Sequence, residues 1–220
     1  LALVHDLPTR ARVLDVGCGP GAGSAELAAL TGQNVIALER HAPFVARARQ
    51  QAIDAGCRAR VHPVCGDMRD LPFPPGSFDL IWAEGSLYSL GFANGVKACA
   101  DLLRPGGCLA CSEAVWTAAD PPDAIRRWWD VEYGDIGPID AKAEVIRAAG
   151  LTILGHFTLP RDAWAHHYYA PIRARLDERR QAWADDEAGL EVIRAFETEI
   201  AMHDRFGDTY SYEFFVARRH

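Results

Sequence analysis

A glycine-rich turn in the stretch V-L-D-V-G-C-G-P-G is the first feature whose residue types and spacing could do chemistry. The apolar run V-L-D-V is typical of a buried strand, and Gly17, Gly19 and Gly21 interrupt it before an alanine-rich segment that is typical of a helix. In doubly wound folds the first strand, turn and helix approach a ligand through such glycines. The turn therefore predicts a loop that binds a ligand.

The residues around this loop favour a cationic ligand over a phosphate. The glycine spacing is G-x-G-x-G, whereas the dinucleotide fingerprint is G-x-G-x-x-G. Pro20 removes one backbone N–H group that would help to cradle a phosphate, and the carboxylate of Asp15 would repel a pyrophosphate but attract a cation. A ligand with an ammonium or sulfonium group and no phosphate fits better. Asp15 could instead be a structural carboxylate that caps the following helix.

Two further positions suit the parts of an adenosine. Glu39 ends the run N-V-I-A-L-E about twenty residues after the loop, where an acidic residue accepts hydrogen bonds from ribose hydroxyls. Asp67 and Met68 follow the third apolar run, and a carboxylate beside a soft apolar side chain suits the amino group and ring face of adenine. The plain alternatives are a surface acid at position 39 and a core methionine at position 68.

Candidates for acting on a substrate follow later strands. Glu84 follows the fourth strand and could accept a proton or hold an amine, or it could hydrogen-bond loop amides. The segment A-W-A-H-H-Y-Y-A-P follows the sixth strand, and we expect it to be a loop over the active-site end of the sheet. Histidine titrates near neutral pH and aromatic faces can hold a cationic amine, although the segment could also be an aromatic packing loop. Trp128 and Trp129 are interpreted as helix packing.

The elements that must position these residues alternate between strand and helix. They predict an α/β, doubly wound, seven-stranded and mostly parallel sheet whose last strand runs antiparallel. The predicted strands occupy residues 11–17, 34–40, 60–67, 78–85, 107–116, 151–159 and 210–219, the fifth of them after the breaker R-P-G-G. A helical insertion of one or two helices at about 171–205 precedes the last strand. We expect a single domain over 1–220, with 1–113 as a cofactor-binding half and 114–220 as a substrate-side half.

Composition and cysteine spacing narrow the function classes. The formal charge of −7 argues against a nucleic-acid binder, and no apolar stretch reaches the roughly 18 residues of a membrane helix. Cys108 and Cys111 have C-x-x-C spacing, but the period of a strand puts them on opposite faces, so we interpret them as buried thiols in a reducing compartment. We expect a cytoplasmic protein, monomer or homodimer, that acts on a small molecule without a metal.

The ordered motifs resemble those of class I S-adenosylmethionine-dependent methyltransferases over residues 11–113. The resemblance is carried by the glycine turn, Glu39, G-D-M-R-D-L-P-F-P-P-G-S-F-D-L-I-W-A-E-G-S-L-Y-S-L-G-F and L-L-R-P-G-G-C-L-A-C-S-E. W-A-E-G stands where enzymes that methylate amino groups of nucleic acids place a tetrapeptide of the N-P-P-Y kind. W-A-E-G-S-L-Y-S-L-G-F, S-E-A-V-W-T and L-P-R-D-A-W-A-H-H-Y-Y-A-P are similar to a small-molecule branch near the ubiquinone/menaquinone-biosynthesis and glycine-type N-methyltransferases.

This resemblance implies S-adenosyl-L-methionine as cofactor, S-adenosyl-L-homocysteine as product, and methyl transfer to a small molecule. Nitrogen, oxygen and carbon acceptors all stay open, and we favour nitrogen or oxygen over carbon. The loop with Asp15 would hold the methionyl part, Glu39 the ribose, and Asp67 with Met68 the adenine. The implied cofactor-binding residues are Asp15, Gly17, Gly19, Gly21, Glu39, Arg40, Asp67, Met68 and Glu84. The catalytic candidates are Glu84 and His167, and the substrate-binding candidates are Tyr88, Trp116, Trp164, His167 and Tyr168. A non-catalytic S-adenosylmethionine-binding or regulatory protein and a nucleotide-dependent oxidoreductase are the alternatives.

Overall fold

The computed structural model describes residues 3–4 and 7–220, apart from the side chain of His167. The strands in this part of the chain are β1 (Arg12–Val16), β2 (Asn34–Glu39), β3 (Val61–Cys65), β4 (Phe78–Ala83), β5 (Leu103–Trp116), β6 (Gly137–Pro138), β7 (Leu151–Thr158) and β8 (Tyr210–Arg219). The α-helices are α1 (Ala22–Thr31), α2 (Ala42–Asp54), α3 (Phe92–Leu102), α4 (Asp123–Glu132), α5 (Ile139–Ala148), α6 (Arg161–Trp164), α7 (Ala170–Ala182) and α8 (Glu187–Phe206). A 3₁₀ turn spans Leu87–Leu90, and a π-helical turn spans Ala165–Tyr169.

The strands pair into one sheet in the order β3-β2-β1-β4-β5-β8-β7, and β6 pairs with the end of β5. Neighbours from β3 to β5 run parallel, and the C-terminal strand runs antiparallel. The doubly wound, mostly parallel sheet predicted from the sequence is therefore confirmed. The strand order reverses between β1 and β4, and ligands of such folds bind at the carboxyl ends of the strands beside that reversal.

The central strands are apolar on both faces, as is typical of a parallel sheet that is buried on both sides. Successive residues of a strand point to opposite faces, so Val13 and Leu80 pack in one buried cluster while Leu14 and Ile81 pack in another. Each cluster also contains apolar residues of a helix, such as Leu27 of α1. The ends of β1 and β4 are therefore held rigidly where the ligand loop begins.

The cysteines of β5 follow the same alternation. Cys108 belongs to the first of these clusters and Cys111 to the second, which confirms that they lie on opposite faces of the strand. Both are buried and neither forms a disulfide. Burial raises the pKa of Cys111 well above its usual range, so its thiol stays protonated and behaves as a small apolar group.

Strand β5 begins earlier than the sequence predicts. The R-P-G-G stretch was expected to precede the strand, but β5 starts at Leu103, which pairs with Phe78 of β4. The pairing then shifts register before Leu80 meets Cys108, so the breaker residues form an irregular first part of the strand. The prediction was wrong because a Pro-Gly-Gly run is compatible with a bulged strand as well as with a turn.

The segment after β7 is helical, so the predicted loop over residues 163–171 is wrong. Helix α6, the π-helical turn and α7 continue one another through it, and the insertion after Ala170 consists of two helices, α7 and α8. Two-residue β6 was not predicted because so short a strand leaves no alternation in the sequence. None of the helices in the described residues is long and apolar enough to cross a membrane.

The chain divides into two compact units. The first unit contains the described residues up to Glu113, together with Ile139–Phe157 and Glu213–His220. The second unit contains Ala114–Pro138 and Thr158–Tyr212. Its buried cluster consists of Ile125, Phe206 and Tyr210, against which Trp116, Trp128, Trp129, Ile136 and Met202 pack. Trp128 and Trp129 thus pack against this cluster, as the sequence predicts.

Candidate functional site

The loop between β1 and α1 requires glycine at two positions. Gly17 and Gly21 have φ angles of 75° and 89°, in the left-handed region that side chains disfavour. A Cβ atom on Gly17 would lie 2.5 Å from the Cβ of Ser86, and a Cβ on Gly21 would lie 2.6 Å from the Cβ of Ala48. The main chain of the loop is therefore in close contact with the residues after β4 and with α2.

Hydrogen bonds attach the same loop to the end of β2. The N–H groups of Gly17 and Cys18 donate to the carbonyl of Leu38 over 2.8 and 3.0 Å. The N–H of Gly19 donates to Oε2 of Glu39 over 3.1 Å, and the N–H of His41 donates to Oε1 over 2.7 Å. A carboxylate can accept about four hydrogen bonds, so Glu39 is oriented by the backbone and keeps acceptor capacity for a ligand's hydroxyl groups.

A recess on one side of the loop is negatively charged. It has a volume of about 320 Å³ and is lined by Asp15, Trp82, Glu84 and the glycine turn. Burial raises the pKa of Asp15 to about 6, the charge of Glu84 acts in the same direction, and a 2.5 Å hydrogen bond from Oγ of Ser24 opposes them. Burial raises the pKa of the Cys18 thiol to about 12, and the charges of Asp15 and Glu39 act in the same direction. This potential suits a sulfonium or ammonium group.

The start of α1 complements the recess with positive polarity. Gly21 is the N-cap residue of α1, and no side chain among the described residues caps the first turn. The unpaired N–H groups of a helix N-terminus favour an anion such as a carboxylate. Asp15 therefore does not cap the helix as the sequence allowed; it accepts the hydroxyl of Ser24 inside the first turn. A cationic and an anionic group of one ligand could both be satisfied here.

A larger cleft lies on the other side of Gly17. Its volume is about 630 Å³, and Gly17 lines both the cleft and the recess. The cleft contains six of the residues proposed from the sequence, namely Gly17, Glu39, Arg40, Asp67, Met68 and Tyr88. Sequence reasoning missed other lining residues, which are Leu38, His41, Phe44, Gly66, Arg69, Gly85, Ser86 and Ser89.

Asp67 and Met68 both line the cleft, but they offer a ligand different chemistry. Arg69 donates to both carboxylate oxygens of Asp67, with Nη2 2.6 Å from Oδ2, and these hydrogen bonds lower the pKa of Asp67 to about 2. Sδ of Met68 accepts a hydrogen bond from Oγ of Ser89 over 3.2 Å, and its side chain packs against the core below the cleft. Asp67 is thus a permanently ionised acceptor, and Met68 provides an apolar surface.

The missed residues follow a rule that the sequence could have supplied. His41 and Phe44 come directly after β2 at the start of α2, with ring centroids 4.9 Å apart, and Phe44 leaves 39% of its surface exposed. Ser86 follows β4, and its hydroxyl donates to the carbonyl of Val16 over 2.6 Å. Residues just past the carboxyl ends of parallel strands line the ligand crevice of such sheets. Position after a strand, rather than chemical type, was the available signal.

Glu84 is exposed and accepts a hydrogen bond from an indole. Nε1 of Trp82 donates to Oε2 of Glu84 over 3.2 Å, while the nearby N–H of Gly85 donates to Oγ of Ser112 over 2.9 Å. The alternative in which Glu84 ties down loop amides therefore receives no support from these contacts. The carboxylate faces the recess that contains Asp15.

Comparison with known proteins decides the family. Residues 13–107 match a family described as a methyltransferase domain. The chain is 36% identical over 208 residues to the 27-O-demethylrifamycin SV methyltransferase of Amycolatopsis mediterranei, an alignment that covers 89% of this chain and 76% of that protein. The chain belongs to the class I S-adenosylmethionine-dependent methyltransferases. Their cofactor is S-adenosyl-L-methionine, as the sequence predicts.

Other relatives of this chain are longer. It is 32% identical over 153 residues to the sterol 24-C-methyltransferase ERG6B of Gibberella zeae, which covers 66% of this chain and 40% of that protein. The chain spans less than half the length of the sterol methyltransferases it matches. A methyltransferase of Geobacter sulfurreducens, solved in complex with S-adenosyl-L-homocysteine, has the same fold, with a TM-score of 0.86, 21% identity, and coverage of 100% of this chain and 88% of that one.

The residues of the first unit fit the family's cofactor. The recess combines Asp15 and Glu84 with a helix N-terminus, which suits a sulfonium flanked by an amino and a carboxylate group. A side chain on Gly17 would intrude where the recess and the cleft meet. Glu39 and Asp67 supply acceptors in the cleft, and Met68 supplies an apolar surface. Every proposed cofactor residue except Gly21 lines one or both of these openings.

Most of the proposed acceptor-binding residues belong to the second unit. Trp164 stacks on Tyr212 at 5.0 Å between ring centroids and meets Tyr168 edge-on at 5.5 Å. Tyr168 leaves 40% of its surface exposed, and Trp116 packs against the cluster around Ile125. The side chain of His167 lies outside the described residues. Tyr88, by contrast, lines the cleft in the first unit.

Proposed function

We propose that this chain transfers a methyl group from S-adenosylmethionine to a nitrogen or oxygen atom of a small-molecule acceptor. The observation that carries the proposal is the pair of openings that share Gly17. The recess, with Asp15 and Glu84, suits the charged amino-acid part of the cofactor, and the cleft, with Glu39 and Asp67, suits an adenosine. The relatives that share this family include an enzyme named for an O-methyl transfer and several named for C-methyl transfer.

The cofactor supplies an electrophilic methyl group, and the protein's contribution is positioning and electrostatics. Asp15 and Glu84 hold the cationic part by charge, and Glu39, oriented by two backbone N–H groups, holds the ribose. Fixing the orientation of the reacting atoms contributes much of the barrier reduction in such displacements. The family resemblance assigns binding of the acceptor to Tyr88, Trp116, Trp164, His167 and Tyr168, and we retain these assignments as part of the proposal.

Glu84 is proposed to prepare the acceptor. An ammonium group must lose a proton to present a lone pair, and a hydroxyl group must lose its proton as its oxygen is methylated. An exposed carboxylate beside the negative recess can accept that proton or orient the amine. Attack by carbon requires a different kind of activated acceptor, so a single carboxylate favours oxygen or nitrogen. His167 is the second proposed base, because imidazole titrates near neutral pH.

The first test is calorimetric titration with S-adenosylmethionine, S-adenosylhomocysteine and NAD. We expect micromolar binding of both sulfur cofactors and no binding of NAD. Binding of NAD alone would favour the oxidoreductase alternative. The second test uses S-adenosylmethionine with a labelled methyl group and a panel of phenols, alcohols and amines. Label should appear on oxygen or nitrogen; tight cofactor binding without transfer to any acceptor would favour the non-catalytic alternative.

A further inference from the structure

The π-helical turn of the second unit arranges an aromatic group that an α-helix would not. In a π-helix the hydrogen bonds run from residue i to residue i+5, and such turns are frequent at functional sites. Trp164 and Tyr169 are five residues apart and stack with centroids 6.0 Å apart at an angle of 24°. Tyr168 meets both rings edge-on, at 5.5 and 4.9 Å. Two neighbouring tyrosines therefore turn towards the same side.

Their hydroxyl groups converge on one carboxylate of α8. Oη of Tyr169 donates to Oε1 of Glu199 over 3.1 Å, and the side chain of Tyr168 also hydrogen-bonds Glu199. Glu199 is half-buried, whereas Tyr168 is 40% exposed. The carboxylate is thus held at the base of an aromatic surface that a ligand can reach from the side of Tyr168.

Glu199 differs from other carboxylates on the same helix. Glu187, Glu197 and Asp204 pair with Arg194, Arg180 and Arg173 respectively. Among the described residues, no lysine or arginine lies within ion-pair distance of Glu199. Burial raises the pKa of Glu199, and the charge of Glu132 acts in the same direction. The site therefore has an uncompensated negative potential inside an aromatic group.

Two buried nitrogen atoms in the same cluster have no hydrogen-bond partner among the described residues. The His203 ring lies 4.5 Å from that of Tyr169 and is 97% buried, since only 3% of its surface is exposed. Its Nδ1 contacts Oη of Tyr210 at 3.3 Å, but its Nε2 has no hydrogen-bond partner among the described residues. The buried Nε1 of Trp164 is in the same situation in that part of the chain. Buried polar atoms are rarely left unpaired, so these two nitrogens indicate that the cluster can take a further polar group as a hydrogen-bond partner.

We propose that Glu199, Tyr168, Tyr169 and Trp164 form a binding site for a protonated organic amine. Aromatic faces attract cations, and a carboxylate held by two tyrosine hydroxyls supplies the opposite charge. The amine is carried on an apolar or aromatic body that packs on Tyr168, the exposed member of the group. That this amine is the methyl acceptor rests on the proposed function; the site itself does not.

The test is calorimetric titration of the full chain, without S-adenosylmethionine, with benzylamine, cyclohexylamine and tyramine. Benzyl alcohol and cyclohexanol serve as neutral probes of similar shape. The amines should bind saturably and the alcohols at least about tenfold more weakly, because only the amines pair with Glu199. Binding of the amines should quench the fluorescence of Trp164, and W164F should lose that change. Equal binding of amines and alcohols, or no binding of any amine, would overturn the proposal.

Matched variants locate the binding. Glu199→Gln keeps the shape of the side chain and should weaken amine binding about tenfold or more, whereas Glu197→Gln, on the same helix, should leave it unchanged. Tyr169→Phe removes one hydroxyl that orients the carboxylate and should cause a smaller loss; it provides the answer if Glu199→Gln does not fold. Equal affinity in Glu199→Gln and the parent chain would overturn the site.

The outcomes separate this site from the proposed function. Amine binding without binding of S-adenosylmethionine would support the amine site and contradict the proposed methyltransferase function. Binding of S-adenosylmethionine without amine binding would do the reverse. If both bind, the labelled-methyl assay with the same amines shows whether the bound amine is also the acceptor.

Discussion

The loop after β1 and the aromatic cluster of the second unit are both polar sites, but they are built differently. The loop is main chain: its shape follows from Gly17 and Gly21, whose positive φ angles and close neighbours leave no room for a side chain. The cluster consists of side chains that come from two separate helical segments, with Tyr169 and Glu199 thirty residues apart in sequence. The loop could be recognised in the sequence because its requirements are local, whereas the contact between the aromatic segment and Glu199 could not.

The largest expected effect comes from filling the loop. Gly17→Ala places a Cβ atom 2.5 Å from Ser86 in a left-handed backbone, so we expect S-adenosylmethionine to bind about a hundredfold more weakly, or about 2.7 kcal/mol. Gly150→Ala is the matched control, because Gly150 also has a positive φ angle, its Cβ would meet no atom within 4 Å, and it lines neither the recess nor the cleft. Calorimetry measures both affinities, and thermal unfolding shows whether the variant is folded. Similar losses in the two variants would contradict the role of the loop's shape.

Removing an oriented acceptor should have the next largest effect. Glu39→Ala and Asp15→Ala should each weaken cofactor binding by about 1–3 kcal/mol, because each removes a charged hydrogen-bond acceptor from the site. Glu26→Ala, on the exposed face of α1, is the control and should bind as the parent does. Unchanged affinity in both test variants would refute the assignment of the recess and the cleft to the cofactor.

The raised pKa of Asp15 predicts a dependence of stability on pH. In the folded chain its pKa is about 6, against an ordinary 3.8, so between about pH 4 and 6 the folded state binds the extra proton. Stability from this group is therefore present at low pH and lost as pH rises through that window, by an amount on the order of 3 kcal/mol. The difference in unfolding free energy between the parent and Asp15→Asn, measured by denaturant titration across the window, should follow this curve.

The same titration predicts stronger cofactor binding at higher pH. A cationic ligand favours ionised Asp15, so affinity for S-adenosylmethionine should rise between pH 5 and 7 in the parent. In Asp15→Asn the profile should flatten over that range. A parent profile that is flat, or an unaltered slope in the variant, would show that Asp15 stays ionised or lies away from the cationic group.

The smallest effect is expected at the ion pair of Arg69 and Asp67. The pair is largely exposed, and such pairs contribute little, so Arg69→Gln should change cofactor affinity by about threefold or less. The change should shrink further at high salt, since exposed charges are screened. A loss larger than that of Glu39→Ala would mean that Arg69 itself binds the cofactor.

Much of the first unit could be predicted from the sequence. Each strand from β1 to β4 starts and ends within a few residues of its expected bounds, because alternation, proline and glycine act on neighbouring residues. The errors arise where distant contacts compete with local preference. The R-P-G-G stretch joins β5 because Leu103 pairs with Phe78, and the aromatic segment is helical rather than a loop.

The sequence by itself determined the order of strands and helices, the conformation of the glycine loop, and the carboxylates placed at strand ends around it. These follow from residue types and short spacings along the chain. Only the tertiary structure decided that Tyr168 and Tyr169 hydrogen-bond Glu199, which has no lysine or arginine within ion-pair distance among the described residues. The physical reason is that these contacts depend on a π-helical turn and on the packing of α8. Neither leaves a periodic signal, because side chains that are distant in the chain meet only after the helices have packed.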